Sequence, residues 1–402
     1  MNTPIPMKLQ TEIPTNTVAA AGATLTAALK MAPPAADFTG RLSQFRYQML
    51  QAGQDAALIF SPVNLRYLFN YSGEALMAVV TPEQVVLITD YRFIAQAEQE
   101  SKSVCPKATF FCRDRDRQSL GQAIALQLAA FKARRVWFED SDISVLLWRA
   151  ICDDNGLIEF SPCPPHLAAQ RMVKDDWEVA QIEQAAAIAD LALARALPML
   201  QVGVSEREFA TELEYQLKKA GAEDFSFATI LGFAERSALP HALPTDKRLK
   251  KGDLVVLDFG AVVNGYRSDM TRSFVCGKAS PLQQQMYQVV LEAQQAALEA
   301  VRAGTSGAAL NNIAADILAA SPFAKDAGPG LGHGVGLQLH EQPFLGPLCR
   351  QLLPENAVIT IEPGIYIADF GGVRIEDDVL VTKAGCRILT KAPKQFELAL
   401  RE

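Results

Sequence analysis

Two stretches of this chain follow one plan, and that plan constrains the fold more than any other feature. GDLVVLDFG (252–260) and NAVITIEPG (356–364) each have a polar entry, four β-prone residues, an acid, one intervening residue and a glycine. Each is followed by a second strand-like run with another acid, Asp269 after Asp258 and Glu376 after Glu362. An echo of this kind points to a domain built from two related halves.

The first stretch continues as LDFGAVVNGYRSDMTR, in which Asn264-Gly265 is the signal of a two-residue type I′ turn. That turn pairs Val263 with Tyr266 and sets Asp269 opposite Gly260, so Asp258 and Asp269 become diagonal neighbours on one face. The other face of the first arm, Val255, Leu257, Phe259, Ala261 and Val263, is the buried side. Two carboxylates converging without a cation repel, and one would keep its proton. A metal ion removes that conflict. The competing reading is a solvated hairpin face on which each acid has its own basic partner, with Arg267 and Arg272 close by. The second acid pair favours the metal. In GGVRIEDDV, strand alternation puts Glu376 on one face with Arg374 and Asp378. An arginine there is either a plain salt bridge or an outer group that orients a metal-holding carboxylate.

A chain of 402 residues is long for one core, and two domains are expected. Residues 1–37 read as a flexible or weakly helical lead-in, without the charged start and apolar block of a secretory signal. From 38 to 165 the patterns describe a smaller α/β domain. RLSQFRYQMLQAG is an amphipathic helix closed by Gly53, ALIF, LMAVV and VVLITD are strands, and IAQAEQE is a helix. The Pro-rich SPCPPH marks a boundary, and residues 166–402 form a mixed α+β domain. Its helices announce themselves by their ends: acids opening DDWEVAQIEQ, a Ser205/Glu208 capping box with Gly221 as the stop, and a Ser-Pro start at 280 with a stop at Gly304.

A net charge of −7 argues against a nucleic-acid backbone or an anionic membrane as the main partner. No apolar run approaches the roughly 18 residues that would cross a bilayer. The seven cysteines, at 105, 112, 152, 163, 276, 349 and 386, are scattered without a C-x-x-C pair, which fits a reducing cytoplasm better than a disulfide framework or a thiolate zinc site.

Histidine supplies a further ligand type, and the chain has four. His333 and His340 lie in GLGHGVGLQLHEQP and His241 in ERSALPHALP, all Gly- or Pro-bounded loops of the second domain. The glycines never give G-x-G-x-x-G, so a dinucleotide cradle is not supported. His166, in the linker, reads as structural.

LDFG…NG…SDMTR, GHGVGLQLHEQP, TIEPGIY and GGVRIEDDVLVT together resemble the sequential motifs of the pita-bread metallopeptidases, most closely the Xaa-Pro branch of aminopeptidase P and prolidase. NLRYLFNYSGE and LITDYRFIAQAEQE resemble that branch's smaller domain, so the likeness covers roughly residues 38–396. The resemblance implies a pseudo-twofold α+β catalytic domain, with a curved antiparallel sheet covered by helices, behind a creatinase/prolidase-type α/β domain. It implies a dinuclear site held by Asp258, Asp269, His333, Glu362 and Glu376, with Asp269 and Glu376 bridging two divalent ions. Manganese is the family's usual metal, with cobalt or zinc as alternatives. The implied activity is hydrolysis of the peptide bond before proline, on an Xaa-Pro dipeptide or a longer peptide, by a hydroxide held between the ions. Glu362 is then the proton shuttle. His241 and His340 match positions that bind substrate and stabilise the tetrahedral intermediate, and Arg374 matches an outer or substrate-carboxylate position. A homodimer is expected by the same analogy.

The chain departs from the pattern at Pro329, where many members carry a histidine, and at Ala242 after His241, which gives PHA rather than PHG. Two alternatives follow. One keeps the metal and the fold but acts on a small metabolite rather than a peptide, as some relatives do. The other is a non-catalytic binding module, which the complete ligand set disfavours.

Overall fold

The computed structural model describes residues 17–30 and 35–400. These divide into two compact units, one from Ala35 to Arg171 and the other of residues 172–400 together with residues 17–30.

In the smaller unit, short apolar runs covered on both faces become strands. Ala56–Ile59, Met77–Val80 and Val85–Asp90 are buried along their whole length. They pair antiparallel in that order, and parallel strands extend the sheet at both ends, Thr109–Arg113 beside Val85–Asp90 and then Arg135–Phe138 and Glu159–Pro162 beyond Ala56–Ile59. The helices read from the sequence are present as Phe38–Gln51, with Gly53 just beyond it at φ 67°, and Ile94–Ser101. His166 lies with its ring 5.4 Å from that of Trp137, a packing contact.

The larger unit is organised as two sets of helices and strands. Helix Asp176–Ala196 starts at an Asp175/Glu178 capping box, and Glu206–Ala220 starts at a Ser205/Glu208 box and ends at Gly221, φ 108°. Each such cap is worth about 1 kcal/mol. These two helices pack with the strands Ile230–Phe233, Leu254–Phe259 and Met270–Cys276 around one apolar core. Helices Pro281–Ala300 and Gly307–Ala319 pack with Val358–Ile361 and Asp377–Val381 around a second. Each half is thus a helix pair followed by an acid-bearing hairpin, the two halves to which the echo in the sequence pointed and the pita-bread plan that the resemblance implied.

Two details differ from expectation. Pro281–Ala300 stops before Gly304, because the Ala303 and Gly304 amides donate instead to the carbonyls of Thr382 and Leu353, drawing the chain out of the helix at Val301. The lead-in also contains a helix, Thr17–Lys30, in contact with Asp176–Ala196, and its Leu25 is buried in the first core. The rest of that lead-in, 1–16 and 31–34, lies outside the described residues.

The first hairpin has the register its turn demands. Asn264 and Gly265 both have positive φ, at 49° and 81°, and Val263 pairs with Tyr266. The same register continues to Phe259 opposite Met270 and Asp258 opposite Thr271, which sets Asp269 level with Gly260. A glycine is required there, since any Cβ would stand 1.9 Å from the Ser268 carbonyl oxygen.

Candidate metal centre and substrate cavity

The two hairpins meet at the wall of a cavity of about 670 Å³ in the larger unit. In the second hairpin, Ile361 pairs with Asp377 and Gly364 with Arg374, so the register on both sides brings Glu362 and Glu376 level. Thr271 joins the halves. Its carbonyl accepts the Glu376 amide at 3.2 Å, and its hydroxyl donates to Glu376 Oε2 at 2.7 Å.

His333 enters from the strand Gly332–Gly334, which lies so close to its neighbour that a Cβ on Gly332 would fall 2.2 Å from the Thr360 carbonyl oxygen. The His333 amide donates to Thr360 Oγ1 at 3.0 Å, and its Nδ1 lies 3.1 Å from the Gly334 carbonyl. Nε2 is thereby turned to the acids, 3.3 Å from Glu362 Oε1 and 3.7 Å from Asp269 Oδ2. Asp269, His333 and Glu376 each offer a ligand atom, all within 4.8 Å of one another, a set that could hold a metal ion.

Three carboxylate oxygens in this cluster, Asp258 Oδ1, Asp269 Oδ1 and Glu376 Oε1, are buried without a hydrogen-bond partner. An unsatisfied buried acceptor costs about 1–3 kcal/mol, and more when charged. Burial raises the Asp269 pKa well above the carboxylate range, and the charges of Glu376, Asp258, Asp378 and Glu362 add to the effect. Glu376 is raised well above that range by the same causes, burial first and then Glu362 and Asp258. Asp258 is raised by burial despite the Arg374 guanidinium beside it. Glu362 differs. Burial would raise it, but the hydrogen bond and charge of His333, with Arg374, leave it lowered. The same contact raises His333 against its own desolvation. Four acids and one imidazole with orphaned oxygens fit divalent cations, which would satisfy those oxygens and cancel the repulsion.

Arg374 is held within the protein. Its Nε donates to Thr271 Oγ1 at 2.9 Å, Nη1 to the Tyr366 hydroxyl at 2.9 Å and the Pro240 carbonyl at 3.2 Å, and Nη2 to Asp258 Oδ2 at 2.6 Å. His340 stands edge-on to His333, with ring centroids 4.3 Å apart, and burial together with the His333 charge lowers its pKa. His241 and Pro329 line the cavity as well. Asp258, Asp269, His333 and Glu362, with both further histidines and Arg374, therefore line one space, and Glu376, which is not on its wall, offers an oxygen within 4.8 Å of ligand atoms of Asp269 and His333.

The solvated-face reading of the first hairpin fails. Asp258 and Asp269 are 7% and 4% exposed, and neither nearby arginine serves them. Arg267 donates to the carbonyls of Ser226 and Leu337. Arg272 stands opposite Leu257, on the far face of the sheet, where its Nη2 meets Asp377 at 2.8 Å.

Several residues of the site went unread in the sequence. Thr271 and Thr360 look like ordinary β-branched strand residues, although the hairpin register already put Thr271 across from Asp258. Strand alternation places Asp378 on the face of Glu376 and Arg374 but does not give its contact: its Oδ2 accepts the Asp269 amide at 2.8 Å and so fixes the bend that presents Asp269. Lys174 and Glu341 form a buried ion pair at 2.8 Å next to His340, with no signal in the sequence to link them.

Residues 180–383 match the metallopeptidase family M24, and residues 41–173 match the creatinase/prolidase N-terminal domain. An Xaa-Pro dipeptidase of Pyrococcus furiosus is 36% identical over 85% of this chain and 95% of its own length. Among solved structures, an Xaa-Pro dipeptidase from Bacillus anthracis superposes with a TM-score of 0.84 at 32% identity, over 90% of this chain and 100% of that one. An X-Pro aminopeptidase from Thermotoga maritima superposes with a TM-score of 0.82 at 33% identity, over 89% and 99%. The chain belongs to metallopeptidase family M24 and carries a creatinase/prolidase N-terminal domain ahead of the peptidase domain.

Proposed function

We propose that the protein is an exopeptidase that hydrolyses the peptide bond before proline, using two divalent cations held by Asp258, Asp269, His333, Glu362 and Glu376. The observation that carries this reading is the set of orphaned buried oxygens on Asp258, Asp269 and Glu376, which call for cations where relatives named as Xaa-Pro peptidases are alike in fold and sequence. Manganese suits a donor set of carboxylates with one imidazole, and cobalt or zinc would also bind. When bound, such ions polarise a carbonyl and bring the pKa of an adjacent water toward neutrality.

The chain's own residues do the rest. Glu362, a quarter exposed to the cavity and with its carboxylate kept ionised by His333, takes a proton from the attacking water at a carboxylate oxygen and delivers it to the leaving proline nitrogen. His340 and His241 face the same space and donate to the carbonyl oxygen as negative charge builds on it. Arg374, tied to Asp258, Thr271 and Tyr366, keeps Asp258 aimed. The enzyme works as a homodimer in the cytoplasm, in keeping with the family resemblance and with seven free cysteines.

Metal-stripped protein assayed on Ala-Pro and Ala-Pro-Ala, before and after manganese is returned, tests the proposal. Activity should vanish and recover with the metal. Inertness of the loaded protein toward both peptides would remove the reading.

A further inference from the structure

We infer that the cavity is built for peptides that continue past the proline, so that the enzyme is an aminopeptidase rather than a dipeptidase. The inference rests on the Xaa-Pro peptidase reading above and adds which end of the substrate the site can accept.

A dipeptide brings a free carboxylate on the proline itself, immediately beside the bond to be cut. A site that selects dipeptides must meet that charge with a cation, and the usual device is a guanidinium fork or an ammonium. Among the described residues that line the cavity, Arg374 is the single lysine or arginine. It is 3% exposed, and each of its three nitrogens already donates within the protein. Turning it toward a substrate would strip Asp258 Oδ2 of its guanidinium while Asp258 Oδ1 has no hydrogen-bond partner of its own. Arg374 is thus a positioning residue for Asp258, not a free anchor for a carboxylate.

The rest of the wall offers no substitute. Phe227, Ile230, Leu243, Leu339, Phe344 and Leu345 make it largely apolar, and a carboxylate set against them loses hydration without gaining a partner. The imidazoles of His241 and His340 each present isolated N–H groups rather than a fork that grips both carboxylate oxygens. A peptide bond following the proline brings no charge to neutralise. There is also room for it: at about 670 Å³ the cavity falls within the range that holds drug-sized ligands, and Leu243 and Phe344, 61% and 47% exposed, stand where it meets solvent.

The test compares three substrates on the full-length, manganese-loaded enzyme: Ala-Pro, its C-terminal amide Ala-Pro-NH2, and Ala-Pro-Ala. The amide has the size of the dipeptide without its charge. We expect kcat/KM for Ala-Pro-NH2 and Ala-Pro-Ala to exceed that for Ala-Pro by about tenfold or more, the effect of leaving one charged group unpaired. Ala-Pro cleaved as well as or better than its amide would overturn the inference and leave the Xaa-Pro reading standing. Failure of all three to turn over would overturn both.

Discussion

Glu376 and Asp377 are neighbours in sequence, both about 1% exposed, and the fold treats them in opposite ways. Asp377 points to the far face of the sheet, where Arg272 reaches Oδ1 at 2.8 Å and Lys394 reaches Oδ2 at 2.6 Å, while Gln294 and Thr390 donate at 3.0 Å. Burial alone would raise its pKa, but the two cations leave it lowered. Glu376 has the Thr271 hydroxyl on one oxygen and nothing on the other, and its pKa is driven well up. This chain can neutralise a buried carboxylate completely, and one residue away it does not. Glu376 offers an oxygen within 4.8 Å of ligand atoms of Asp269 and His333, and the contrast supports the proposal that this carboxylate serves a cation from solution rather than a side chain.

Substitution at each neighbour should break different properties. Glu376→Gln should cost activity on the order of 10³-fold, the several kcal/mol that metal stabilisation supplies, and should lower metal content. The metal-free variant should be at least as stable as the metal-free parent. Asp377→Asn should do the reverse. It leaves Arg272 and Lys394 against a neutral amide and should lower unfolding stability by about 3 kcal/mol in urea titration. Metal binding by the fraction that stays folded should persist. Thr271→Val, which removes the hydroxyl that aims Glu376 and receives Arg374, should weaken metal affinity by about 10- to 100-fold in a competition titration with a chelator.

The smallest effect is on pH dependence. Asp269 and Glu376 have folded pKa values raised above their unfolded ones. In the metal-free protein their contribution to stability is therefore complete below the ordinary carboxylate pKa of about 4 and is lost as pH rises through the raised values. Cation binding must release those protons, so metal affinity rises with pH. The gain in melting temperature on adding manganese should widen between about pH 5 and about pH 8. A gain that shrinks over that interval would contradict the assignment.

The same contrast shows what could be read in advance. The Asn264-Gly265 turn fixed a register that the structure reproduces residue by residue, and the echo of GDLVVLDFG in NAVITIEPG announced two halves. Both are local patterns, set by turn chemistry and strand alternation. The resemblance then added residues that the structure gathers at the cavity and in the cluster of Asp269, His333 and Glu376. What escaped was long-range pairing. Arg267 and Arg272 are the bases near the two aspartates in sequence, yet Arg272 stands opposite Leu257 and faces away, while the partner of Asp258 is Arg374, more than a hundred residues on. The early stop of Pro281–Ala300 has the same origin, in hydrogen bonds from Ala303 and Gly304 to distant carbonyls. The partners that separate Glu376 from the equally buried Asp377, Arg272 and Lys394, likewise come from elsewhere in the packed chain.

The most direct test is the metal-to-protein ratio of purified parent, Glu376→Gln and Asp377→Asn proteins after equilibration with manganese and removal of the excess. Two ions per chain are expected for the parent, a loss for Glu376→Gln, and retention for Asp377→Asn in spite of its lower stability. A parent that binds no metal, or a Glu376→Gln variant that binds as well as the parent, would contradict the assignment.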